Sequence, residues 1–167
     1  MRVLAFDLFG TVLDMSPIPE VDLREYGHQI KRDPWQPFVL PSSFELLLSH
    51  PDASEGLARL RKHFFVATLS NCPIALQMRL SQRNHLSWNA LIPFESAATC
   101  KPRDGAYRFA IAYLRLMGIA PGDATFVTAN PTFGDVEGAA LVGATAQVIR
   151  QPGTPKDLVV LAESLGC

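Results

Sequence analysis

RVLAFDLFGTVLD, residues 2–14, decides the fold. Arg2 to Phe6 is a short apolar run that stops at a carboxylate, Asp7, and Gly10 follows it, which suits a buried strand feeding a tight loop. Gly10 and Thr11 behind the acid predict a turn whose amides can hold an anion near Asp7. Downstream, HFFVATLS (63–70) is β-branched and aromatic enough for a strand buried on both faces. Ala124 to Thr128 and Thr145 to Ile149 read as further strands, and Ala90 to Phe94 as a short one.

Helical patterns lie between these runs. Ala53 to Lys62 turns Leu57 and Leu60 inward, with Asp52 or Ser54 as its cap. Ile74 to Asn84, Asp104 to Met117 (closed by Gly118), Asp135 to Leu141 and Lys156 to Leu165 complete the set. Strands alternating with helices of about ten residues predict βαβ units. The expected fold is α/β, a three-layer doubly wound parallel sheet.

Between Asp14 and Pro51 the text changes character, with Pro17, Pro19, Pro34, Pro37 and Pro41 around helices expected near Asp22 to Arg32 and Ser42 to His50. This segment reads as an insertion over the core. The expected organisation is a core of residues 1–13 and 52–167 with an insertion at 14–51.

The 167 residues, 48% of them hydrophobic, suffice for one domain and one core. A formal net charge of -1 without a long basic block excludes the electrostatic footprint of nucleic-acid binding. Three cysteines, Cys72, Cys100 and Cys167, form no CxxC pair, so neither a disulfide framework nor a zinc ribbon is expected. No uncharged apolar run reaches the roughly 20 residues a membrane span needs. A soluble, cytoplasmic protein with no membrane partner is expected.

In open parallel sheets ligands bind outside the carboxyl ends of the strands. The polar residues there are Asp7, Ser70, the Lys101 loop and the loop from Asn130 to Asp135. An acid, a hydroxyl, a cation and a second acid are expected to converge on one crevice.

Asp7 and Thr11 in FDLFGT fit D-x-x-G-T, Ser70 and Asn71 in ATLSN end the second long strand, and Lys101 in CKPRDGAY opens a helix. Asp135, Gly138 and Ala139 in TANPTFGDVEGA follow a further strand. In this order the motifs resemble those of the haloacid dehalogenase superfamily, and Lys-Pro followed by Tyr107 resembles its L-2-haloacid dehalogenase branch. The resemblance implies that Asp7 is a nucleophile forming a covalent aspartyl ester and that Lys101, beside Pro102 at the first helical position, balances charge. It casts Asp135 as water activator or partner of Lys101. Phe9, Thr11, Ser70, Asn71, Tyr107 and Asn130 become the substrate-side residues.

Two positions depart from the phosphatases of that superfamily. Phe9 stands where they carry a second Asp for proton transfer, and Asn130 where they carry the first metal-binding Asp. A phenyl ring moves no proton, but a halide needs none to leave. Both departures favour displacement at carbon over phosphoryl transfer, with no metal required and a small anionic substrate such as a 2-haloacid. The alternatives are a phosphatase holding Mg²⁺ at Asp7, the Phe9 carbonyl and Asp135, and an idle binding protein of the same fold. The segment from Asp14 to Pro51 is shorter than the cap that dehalogenases use, so a homodimer that completes it is an open possibility. Arg24 and Arg32 are its candidate ligands for a substrate carboxylate.

Overall fold

The computed structural model describes residues 1–32 and 39–167. Four parallel strands form one sheet in the order β2-β1-β3-β4: β1 (Val3–Phe6), β2 (Phe65–Thr68), β3 (Ala124–Thr128) and β4 (Thr145–Val148). In register, Val3 lies between Phe65 and Ala124, and Phe6 between Thr68 and Val127. The chain runs outward from β1 to β2, then crosses back to β3 on the other side. The strand order therefore reverses next to β1, and the carboxyl end of β1 is where a crevice opens.

Period-two alternation along β1 divides the core. Leu4 and Phe6 face one layer with Leu57 and Leu60 of α2 (Ala53–Leu60), Leu76 and Leu80 of α3 (Ile74–Arg83), and Leu158 and Leu161 of α6 (Leu158–Ser164). Val3 and Ala5 face the other with Ile111 and Leu114 of α4 (Asp104–Leu116) and Ala139 of α5 (Asp135–Leu141). Val66, Ala67 and Thr68 are buried, as the two-sided burial of β2 requires. This is the three-layer α/β arrangement that the sequence predicts.

The insertion contributes α1 (Glu20–Lys31), which buries no residue fully. Its second expected helix, Ser42 to His50, is instead a 3₁₀ turn over Ser42–Leu46. Only Phe44 and Leu47 of this stretch are buried, three residues apart, which a 3₁₀ period satisfies. The residues after it pair with the loop behind β1: the Asp14 amide donates to the Leu48 carbonyl at 2.9 Å, and the His50 amide to the Val12 carbonyl at 3.0 Å. Pro34 and Pro37 lie outside the described residues.

The strand expected at Ala90 to Phe94 is also absent. It shrinks to one bridge, Ala67 with Ala90, because Pro93 has no amide to continue the ladder and the Ile92 amide donates to the Thr68 hydroxyl at 3.0 Å. Asp52 and Ser54 make no cap on α2. Asp52 holds Arg150 with both oxygens, at 3.0 and 2.9 Å, and accepts the Leu158 amide at 2.7 Å, while Ser54 donates to the His85 carbonyl. Among the described residues no helix is long and apolar enough to cross a membrane.

Candidate active site

Asp7 leaves β1 one residue past its end, held by its amide to the Val127 carbonyl at 2.9 Å. Its carboxylate is gripped on both oxygens. Lys101 Nζ donates to Oδ1 at 2.8 Å, and the Thr11 hydroxyl donates to Oδ2 at 3.1 Å. The same Thr11 oxygen accepts the Ala129 amide at 2.9 Å, so one side chain ties the β1 loop to the end of β3. Gly10, at φ 80°, makes the turn that brings Thr11 back.

Lys101 is 1% exposed and lies between two acids, since its Nζ also donates to Asp135 Oδ2 at 3.0 Å. Asp135, equally buried on the first turn of α5, accepts the Tyr107 hydroxyl on Oδ1 at 3.0 Å. Asn71 brackets the Lys101 backbone, donating to its carbonyl at 3.0 Å and accepting its amide at 2.7 Å. The order Thr11, Asp7, Lys101, Asp135, Tyr107 is a buried relay of alternating donors and acceptors.

Burial dominates the protonation equilibria. It raises the Asp7 pKa above the ordinary value by more than the Lys101 charge lowers it, and the Asp135 charge adds to the rise. Burial pulls the Lys101 pKa down, but Asp7 and then Asp135 outweigh it, and the ammonium is held above its usual range. The Tyr107 hydroxyl is pushed up by burial and then by the Asp135 charge, so it remains a donor.

Asp7 forms the floor of a cavity of about 260 Å³. Its walls are mostly apolar: Phe9, Met15, Leu23, Tyr26, Ala129 and Phe133, with Gly10 and Asn130 beside them. Phe9 meets Tyr26 edge-on at 5.6 Å and Phe44 at 5.1 Å, an aromatic trio that seats α1 over the end of β1.

No protein-family model matches the sequence, and no curated protein matches it. Solved structures do. An L-2-haloacid dehalogenase superposes with a TM-score of 0.80 at 20% identity, over 99% of this chain and 99% of that one. The L-2-haloacid dehalogenase from Xanthobacter autotrophicus, solved with chloropropionic acid covalently bound, gives 0.69 at 20% identity over 99% and 88%. A HAD phosphatase from Thermococcus onnurineus gives 0.74 at 21% over 99% and 98%. The chain has the haloacid dehalogenase fold.

On that fold, Asp7, Thr11, Lys101, Asp135 and Tyr107 come together in the relay, and Phe9 and Asn130 join Asp7 at the cavity. Ser70 and Asn71 do not line the cavity: Asn71 lies behind Tyr26, and the Ser70 hydroxyl, fully buried, accepts the Cys72 amide at 3.3 Å. Asn130 turns its side-chain oxygen to Thr132, accepting its amide at 3.3 Å and its hydroxyl at 2.8 Å. Arg24 and Arg32 reach neither Asp7 nor the cavity. They pair with Glu20 at 3.6 Å and Glu25 at 3.4 Å.

Two local expectations change. The Gly10 amide donates to the Leu13 carbonyl at 2.8 Å and the Thr11 amide to the Leu8 carbonyl at 3.3 Å, so these amides close the loop on itself and do not hold an anion. Pro102 is not the first residue of α4. The Arg103 amide closes a turn on the Cys100 carbonyl at 3.0 Å, and the helix starts at Asp104.

The cavity residues that sequence reading missed are Met15, Leu23, Tyr26, Ala129 and Phe133, and Tyr26 is the polar one among them. Leu23, Tyr26 and Ile30 carry an i, i+3, i+7 spacing, the signal that could have placed it on the inner face of α1.

The Mg²⁺ alternative does not fit the acids present. Both Asp135 oxygens are taken, by Lys101 and Tyr107, and the residue is 1% exposed, outside the cavity that Asp7 floors. An ammonium fills the space between the two carboxylates that the cation would share.

Proposed function

We propose that this chain is a hydrolase that displaces halide from saturated carbon through a covalent ester on Asp7, with 2-haloacids and their neutral amides as the compounds that test it. The observation that carries this reading is Asp7 itself: a carboxylate held by Lys101 at 2.8 Å and by Thr11 at 3.1 Å, facing an apolar cavity with Phe9 where a proton donor would otherwise stand. A nucleophile so held is aimed at the cavity without being neutralised.

An Asp7 oxygen forms a bond to the substrate carbon as the carbon–halogen bond breaks, and halide leaves with the electron pair. Water then adds to the Asp7 carboxyl carbon, the ester opens at its acyl–oxygen bond, and the alcohol departs with Asp7 restored. The balance is R–X plus water giving R–OH, halide and a proton. Lys101 offsets charge at the carboxylate throughout. Asp135 acts as a positioning residue through Lys101, since both its oxygens are engaged away from the cavity. Residues 14–51 serve as the cap over a core of 1–13 and 52–167, with Met15, Leu23 and Tyr26 their contribution to the wall.

Single turnover in ¹⁸O-labelled water tests this. The product hydroxyl carries ordinary oxygen and the label enters Asp7, which mass spectrometry of the Asp7 peptide detects. Label appearing directly in the first-turnover product means that water, not Asp7, attacks. Halide release is expected to survive EDTA and to vanish in Asp7→Asn.

A further inference from the structure

Granted the displacement at Asp7 proposed above, the surroundings of that carboxylate restrict what can approach it. We infer that the cavity takes a neutral, apolar halogenated molecule in place of the anion that the family resemblance implies. Charge is the first ground. Before any substrate arrives, the described residues of the site set Asp7 and Asp135 against a single ammonium, Lys101, which contacts them at 2.8 and 3.0 Å. That cation is already shared, so a substrate carboxylate would bring a third negative charge to a place where little water screens it.

The wall is the second ground. Phe9, Met15, Leu23, Tyr26, Ala129 and Phe133 surround the floor, and no Lys, Arg or His is among the described lining residues. Neighbouring cations are engaged elsewhere. Arg103 grips the Cys100 sulfur and the Arg32 carbonyl, both at 2.6 Å, and the His50 ring turns to the Gly10 carbonyl at 3.4 Å. Arg24 pairs with Glu20 with its side chain 67% exposed, and Arg32 pairs with Glu25. The segment DPWQPF, residues 33–38, contains no Lys, Arg or His to bring in. What the cavity does offer is neutral polarity at Asn130, whose side-chain oxygen is spent on Thr132, which leaves its NH₂ end as the donor. Such a group suits a carbonyl or a departing halide.

The test compares near-isosteres that differ in charge. Isobutyramide and isobutyrate cannot react, and their binding to the wild-type protein is followed by NMR titration. Isobutyramide is expected to bind at least tenfold tighter; isobutyrate binding as well or better, or neither ligand binding, overturns the inference. In turnover, halide release from 2-chloropropionamide is expected to exceed that from 2-chloropropionate at least tenfold in kcat/KM, and preference for the acid overturns it. If isobutyramide keeps its advantage while neither chloro compound releases halide, the displacement chemistry fails and the selection for neutral molecules stands. Leu23→Arg, at a half-open wall position on α1, is expected to move the amide-to-acid ratio at least tenfold toward the acid; an unchanged ratio counts against the wall as the seat of selection.

Discussion

Tyr107 donates its hydroxyl to Asp135 Oδ1 at 3.0 Å, on the oxygen that Lys101 leaves open, and so fixes the acid that fixes the lysine. The ring stacks on Phe126 with centroids 6.1 Å apart and lies against Gly138, where an added Cβ would stand 2.4 Å from it. Tyr107→Phe leaves a buried carboxylate oxygen short of a donor and is expected to cost about 1–3 kcal/mol in urea denaturation. Gly138→Ala must displace the ring itself. It is expected to destabilise more than Tyr107→Phe and to lower kcat with it.

Lys101→Met keeps most of the volume and removes the charge between two acids. Breaking a buried pair in this way costs about 3–5 kcal/mol at neutral pH. The loss is expected to shrink in acid, where one carboxylate takes up a proton. In the wild type, Lys101 is raised above 10.5, so its stabilisation is complete below that value and is lost as pH rises through the folded-state pKa. Asp7 is raised above 3.8, so its proton-linked stability is present below that value and is lost as pH rises through its own folded pKa. The rate needs ionised Asp7, which sets an acid limb above 3.8 that moves higher in Lys101→Met. Stability and rate measured across pH check both directions.

Much of this was legible because it rests on local pattern. β1 ends at Asp7 because an apolar run stops at a charge, and the strand-end rule was enough to bring Lys101 and Asp135 toward it. Other features depend on partners far along the chain. Asn71 serves Lys101 thirty residues away, and Asp52 serves Arg150 and the Leu158 amide, roles that no local spacing encodes. The Gly10 and Thr11 amides looked available because a glycine turn can present amides outward. Here Leu8 and Leu13 consume them, which only the loop's own closure decides.

Phe9→Asp restores the acid whose absence favours carbon chemistry. If that absence alone decided the reaction, the variant would gain Mg²⁺-dependent hydrolysis of p-nitrophenyl phosphate. Asp135 stays sealed by Lys101 and Tyr107, so no such activity is expected. The aromatic trio with Tyr26 and Phe44 is lost as well, at a cost on the order of 3 kcal/mol. Phosphatase activity in a folded Phe9→Asp protein would reinstate the phosphatase reading.

Thr11 separates the nucleophile's hydrogen bond from its ion pair. Thr11→Val preserves shape but removes the donor to Asp7 Oδ2 and the acceptor for the Ala129 amide, leaving a buried N–H unsatisfied. A stability loss of about 1–3 kcal/mol is expected. The hydroxyl also lowers the Asp7 pKa, so its removal moves the acid limb of the rate profile upward while Lys101 stays in place. Thr11→Ser keeps the oxygen and is expected to restore the limb and most of the rate. If Thr11→Val shifts stability alone and leaves the limb where it was, Thr11 braces the loop without tuning the nucleophile.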